Sequence, residues 1–125
     1  MRERTQLKKQ IETVFRHEGK KLESINYIFC SDDELLKINQ QFLQHDFFTD
    51  IITFDLSETQ LIKGEVYVSI DRVRENARNL SVPLSTEMRR VIFHGALHLC
   101  GYKDKSSAQK KRMRNKEDYY LAKSV

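Results

Sequence analysis

Phe93-His94-Gly95-Ala96-Leu97-His98-Leu99-Cys100-Gly101-Tyr102-Lys103-Asp104 is the stretch from which the fold and function of this chain are read. On an α-helix, residues at i and i+4 are neighbours, with Cβ atoms roughly 5–6 Å apart. His94 and His98 can therefore close on one metal ion at about 2.0–2.1 Å per nitrogen. On a straight continuation Asp104 would lie about 9 Å beyond His98, at about 1.5 Å per residue. Gly101 stands where helices commonly end in a left-handed residue, and a turn there brings the carboxylate back. His94, His98 and Asp104 are thus expected to hold a metal. Small Gly95 and Ala96 are expected to leave room beside it, and Leu97 and Leu99 to seat the helix.

Cys100 is a fourth ligand on paper, but on a helix it lies about 200° from His98 and about 240° from His94. It is read as a small buried apolar residue. Three protein ligands with a position left open is the arrangement of catalytic zinc, which acidifies bound water and polarises phosphoryl or carbonyl oxygens. A metalloprotease of the H-E-x-x-H kind needs a glutamate where Gly95 stands. A zinc deaminase needs H-x-E with P-C-x-x-C, which is absent.

Outward from this stretch, 125 residues suit one domain spanning 1–125, long enough for a core without disulfides. With 39% hydrophobic and 32% charged residues the chain should fold rather than stay disordered. No apolar run of about 18 residues exists, which excludes a membrane-spanning helix. The first residues lack the apolar segment of a signal peptide. Cys30 and Cys100, without C-x-x-C spacing, read as free thiols of a reducing cytoplasm. A net charge of +4 leans towards anionic partners without identifying one.

Leu7, Ile11, Val14 and Phe15 repeat with helical spacing and predict a helix over 5–18 that stops at Gly19. Ile25 to Cys30 reads as a strand. Ser31-Asp32-Asp33-Glu34 has the form of a capping box and opens a helix that ends near Leu43. Ile51 to Phe54 and Val66 to Ile70 read as a strand pair, the second entered through Gly64-Glu65. Asp71 is expected to cap a helix bearing Val73, Ala77 and Leu80. Ser85 or Thr86 should start the metal-site helix after Pro83, and Ser106 or Ser107 a last helix to about Leu121. The expected class is α+β, a small mixed β-sheet covered by helices.

Three blocks now stand in order. His94-Gly95-x-Leu97-His98-Leu99-x-Gly101-Tyr102 resembles the H-G-x-L-H-L-x-G-Y-D-H signature of the YbeY family. Leu36-Lys37-Ile38-Asn39, Phe42, Asp46 and Thr49-Asp50-Ile51-Ile52-Thr53-Phe54 resemble that family's L-N-x-x-Y-R-x-K-D-x-P-T-D-V-L-S-F segment. Gly64-Glu65-Val66-Tyr67-Val68-Ser69 is similar to its G-D-I-x-I-S strand. The resemblance implies a zincin-like metal-site helix, one Zn²⁺ ion and a cytoplasmic endoribonuclease preferring single strands. It further implies a role in ribosomal RNA maturation at the 16S 3′ end and in ribosome quality control, with ribosomal RNA and the small subunit as partners. An alternative is a ribosome- or RNA-binding assembly factor whose metal is mainly structural.

Three departures from the family pattern matter. Asp104 stands where the third metal histidine falls, and a carboxylate oxygen is an acceptable ligand at about 2.0–2.2 Å. Two histidines and one carboxylate also suit other divalent metals. Leu43 stands where the family carries an arginine and His45 where it carries a lysine; leucine cannot grip a phosphate as a guanidinium does. His45 is the nearest substitute in sequence. Asp50 and Glu65 match acidic family positions and are candidates to accept or orient a proton, the alternatives being a loop cap for Asp50 and an exposed turn for Glu65. Lys103, Lys105, Lys110, Lys111, Arg112 and Arg114 follow the metal loop and are expected either to track an RNA backbone or to form a solvated face.

Overall fold

A computed structural model describes residues 2–44 and 49–123. Its elements run α1 (Arg2–His17), β1 (Leu22–Cys30), α2 (Asp32–Leu43), β2 (Ile51–Asp55), β3 (Ile62–Ser69), α3 (Ile70–Leu80), α4 (Leu84–Leu99) and α5 (Ser107–Lys123). The strands form one sheet in the order β1-β3-β2. β1 pairs with β3 in parallel, with Tyr27 opposite Val66, and β2 pairs with β3 antiparallel, with Thr53 opposite Val66. The expected mixed sheet and α+β class are therefore present.

Alternation along β3 divides the sheet into two faces. Val66 and Val68 turn to one side, where they pack with Val14 and Phe15 of α1, Ile92, Phe93, Ala96 and Leu97 of α4, and Met113 and Tyr120 of α5. Tyr67 turns to the other, against the smaller cluster of Cys30, Leu35 and Ile52 with Phe54 and Ile38. α4 runs through the larger core and touches α1, α3, α5, β2 and β3. Its buried residues surround the helix as a helix enclosed by neighbours requires. The Tyr27 hydroxyl donates to the Ile92 carbonyl (2.8 Å), pinning α4 to β1.

Gly95 sets how closely α4 approaches the sheet. A Cβ there would stand 2.9 Å from Val66 Cγ1 and 3.0 Å from Ile51 Cδ1. The small residues between the histidines thus make room for the sheet, not for the metal. Helix signals were partly redistributed. Ser31 makes both capping-box bonds with Glu34. α3 is capped by Ser69 rather than Asp71, whose carboxylate accepts from the Asp32 amide instead. α4 begins at Leu84, directly after Pro83, earlier than Ser85 or Thr86. β3 begins at Ile62, so Gly64 and Glu65 lie within the strand rather than before it. Among the described residues, no helix is long and apolar enough to cross a membrane.

Glu18 ties three elements together. Its carboxylate accepts from Tyr102 (2.6 Å), Tyr120 (2.5 Å) and Lys116 (3.2 Å). Burial alone would raise its pKa, but these bonds outweigh burial and hold the carboxyl below the ordinary glutamate value. A depressed folded-state pKa contributes stability above the ordinary value that is lost as pH falls through the lowered one. Glu18→Gln is expected to cost about 2 kcal/mol at neutral pH and to flatten the acid limb of the stability curve. Urea unfolding at a series of pH values from neutral to strongly acidic checks it; an unchanged acid limb would contradict the assignment.

Candidate metal centre

α4 ends in two hydrogen bonds that position the site. The Tyr102 amide donates to the Leu97 carbonyl (3.1 Å) and the Gly101 amide to the His98 carbonyl (3.0 Å). Gly101 has φ +106°, which favours glycine. This is the Schellman pattern, and it folds the chain back over the last turn. The Tyr102 carbonyl consequently lies 2.9 Å from His98 Nδ1. A carbonyl only accepts, so Nδ1 carries the proton and Nε2 faces the returning loop.

Asp104 arrives at that point. Its Oδ2 lies 3.1 Å from His94 Nε2 and 3.3 Å from His98 Nε2. The ligand atoms of the three residues all lie within 4.8 Å of one another. A tetrahedral ion with bonds of about 2.0–2.1 Å separates its ligands by about 3.3–3.4 Å, so the three residues fit a divalent metal. Donor chemistry agrees. Burial first, and the neighbouring His94 second, hold the His98 pKa below its ordinary value. Neutral His98 with a proton on Nδ1 aims a lone pair at a carboxylate oxygen, an arrangement that a cation between them resolves.

Glu117 of α5 completes the group. His94 Nδ1 donates to Glu117 Oε2 (2.6 Å), while Glu117 Oε1 lies 3.4 Å from Arg90 Nη1. Arg90 also pairs with Asp118 (2.9 Å) and Glu87 (3.4 Å). Burial disfavours charge on His94, yet Glu117, then Asp104 and Asp50, outweigh it and raise its pKa. A histidine whose outer nitrogen is held by a carboxylate is fixed in orientation and made a stronger ligand. Glu117 matches no motif in the sequence. Its signal is the spacing Met113, Glu117, Tyr120, which sets an acid on the buried face of an otherwise basic helix.

An open cavity of about 410 Å³ lies over the three residues, lined also by Thr49, Asp50, Ile51, Thr53 and Asp55. Thr53 Oγ1 is buried there with no hydrogen-bond partner among the described residues. Asp50 is half-buried, tied to β3 through its carbonyl (Ser69 N, 2.9 Å) and approached by Asn76 Nδ2 (3.4 Å). Burial chiefly raises its pKa, partly offset by His94.

The other sequence candidates separate. Glu65 lies opposite Phe54 on the sheet face turned away from α4, where it accepts from the Tyr67 hydroxyl (3.3 Å). It therefore does not join the metal group. His45 lies outside the described residues. Lys110 and Arg114 line a second cavity that shares Asp50, His94 and Asp104 with the first. Lys103 and Arg112 line a different cavity beside Gly101, Tyr102 and Glu18, with the Arg112 guanidinium 5.4 Å from the Tyr102 ring centre. Lys105 and Lys111 are exposed and line neither chamber at the metal group. Cys100 is buried, as expected, and burial pushes its thiol pKa up to about 12. It is not part of the His94, His98 and Asp104 group. Cys30 is also buried and free.

The family profile described as Endoribonuclease YbeY matches residues 2–125. A protein of Flavobacterium psychrophilum named Endoribonuclease YbeY is 52% identical over 121 residues, covering 97% of this chain and 86% of the relative. One of Cytophaga hutchinsonii with the same name is 46% identical over 123 residues, covering 98% and 86%. A solution structure from Thermotoga maritima matches with a TM-score of 0.68 at 35% identity, covering 94% of this chain and 78% of that one. With the metal-site helix, its returning loop and the sheet beneath them all in place, the chain belongs to the endoribonuclease YbeY family.

Proposed function

We propose that this chain is a single-domain, metal-dependent endoribonuclease that cuts single-stranded segments of ribosomal RNA precursors. His94, His98 and Asp104 hold its ion, which we take to be zinc. The juxtaposition of those three residues, open to a cavity beside Asp50, carries the proposal. When bound, the ion supplies Lewis acidity to a phosphoryl oxygen and acidifies water. Asp50, steadied by Asn76, is assigned the proton-accepting role. Glu117 and the Tyr102 carbonyl keep both imidazoles aimed. The proposal extends to a cytoplasmic protein that meets ribosomal RNA in the small subunit and acts near the 16S 3′ end. Incubating precursor ribosomal RNA with the wild type and with His98→Ala tests it. Specific products from the wild type alone are expected; equal products from both would refute the metal centre's role.

One observation favours a second reading, a ribosome- or RNA-binding assembly factor with a mainly structural metal. Leu43, 41% exposed at the end of α2, stands where the family signature carries a phosphate-gripping arginine. A charge-assisted bond contributes about 1.5–3 kcal/mol, so Leu43→Arg is expected to raise cleavage by about tenfold or more. RNA binding without cleavage by either protein would favour the assembly factor.

A further inference from the structure

The chamber over the metal group poses an electrostatic problem for a polyanion. Among the described residues, its charged or ionisable lining is Asp50, Asp55, Asp104 and the two histidines, with no lysine or arginine. Three carboxylates repel a phosphate chain unless cations nearby offset them. Those cations stand in the adjoining cavity of about 490 Å³ between α3 and α5, within the size range of small-ligand sites.

Three basic residues line that cavity. Arg90 is committed to Glu87, Glu117 and Asp118. Lys110 and Arg114, one helical turn apart on α5, are exposed and make no ion pair among the described residues. Asn79, which is exposed, and Asn76, which approaches Asp50, line the α3 side of the same cavity. The acids of this cavity besides Asp50 and Asp104 are Glu87 and Glu117, both ion-paired with Arg90, and Arg114 further offsets Glu87. Lys110 and Arg114 on the α5 side thus stand across from the neutral Asn76 and Asn79 of α3, with His94 and Asp104 shared between the two cavities. Lys103 and Arg112 open on another side.

We propose that this second chamber holds the ribonucleotide next to the bond that is cut, with Lys110 and Arg114 gripping its flanking phosphates and Asn79 contacting its sugar or base edge. The assignment rests on the endoribonuclease reading and narrows it. Of the six basic residues from Lys103 to Arg114, two steer the strand across Asp104. The cations are supplied from α5, so the path of the RNA is fixed by the packing of α5 on α4.

The test measures binding of a fluorescent single-stranded oligoribonucleotide to the full chain, without added metal, over a range of salt concentrations. Each phosphate contact on a single strand contributes about 0.7 to the slope of log affinity against log salt. Lys110→Gln with Arg114→Gln is expected to lower that slope by about 1.4, twice the single-contact value. Lys103→Gln with Lys111→Gln is expected to leave it unchanged. All four side chains are exposed, and unaltered thermal unfolding verifies that each variant folds. An unchanged slope in the first double variant, or an equal fall in the second, would overturn the chamber assignment while leaving RNA binding intact. No salt-dependent binding by the wild type would overturn the endoribonuclease reading itself, and the chamber with it.

Discussion

Replacing His98 with alanine is expected to lower affinity for a divalent ion by more than about 100-fold, beyond the 10–100-fold typical of residues that merely support a ligand. The variant should remain folded. His98 keeps about a quarter of its side chain exposed, and its loss removes one hydrogen bond, from Nδ1 to the Tyr102 carbonyl. That bond is worth about 1 kcal/mol. Metal titration followed calorimetrically, beside urea unfolding of the metal-free protein, separates the two effects. Wild-type affinity in the variant would remove His98 from the metal centre. Asp104→His offers a complementary check. It restores the imidazole of the family signature at the same place on the loop, so binding should survive that substitution and fail in Asp104→Ala.

Glu117 gives the second large effect, and it divides between metal and fold. Glu117→Gln removes charge beside His94 while keeping the shape of the side chain, so metal affinity should fall about 10–100-fold. Glu117→Ala goes further. Arg90, with 18% of its side chain exposed, loses one of three partners, and His94 loses the acceptor that fixes its ring. Breaking a buried ion pair costs about 3–5 kcal/mol, and Glu87 and Asp118 still face Arg90, so the lower end is expected. Urea unfolding of the metal-free chain checks this, since no metal then masks the loss. Unaltered stability would mean that the network is not holding α5 against α4.

His94, His98 and Asp104 were legible because their geometry is local. Two histidines one helical turn apart share a face whatever surrounds them, and a glycine with positive φ turns the chain within three residues. The capping box at Ser31 was legible for the same reason. The Asp71 cap was misplaced because Ser69, at the end of a strand, took the role once β3 stopped at that residue. Glu65 alternates with Val66 in any strand, but alternation alone does not say which face meets α4.

By itself, the sequence determined what short-range hydrogen bonding and periodicity encode: the order of elements, the α+β class and the grouping of His94, His98 and Asp104. Tertiary structure decided which surfaces meet. Gly95 lets α4 settle onto Val66 and Ile51, which sets the histidines over β2 and leaves Glu65 on the far side. The packing of Met113 and Tyr120 of α5 into the core then turns Glu117 onto His94, and Lys110 and Arg114 towards the same opening. Those choices depend on volumes filled by residues far apart in the chain, and the volumes are settled only when all the faces pack at once.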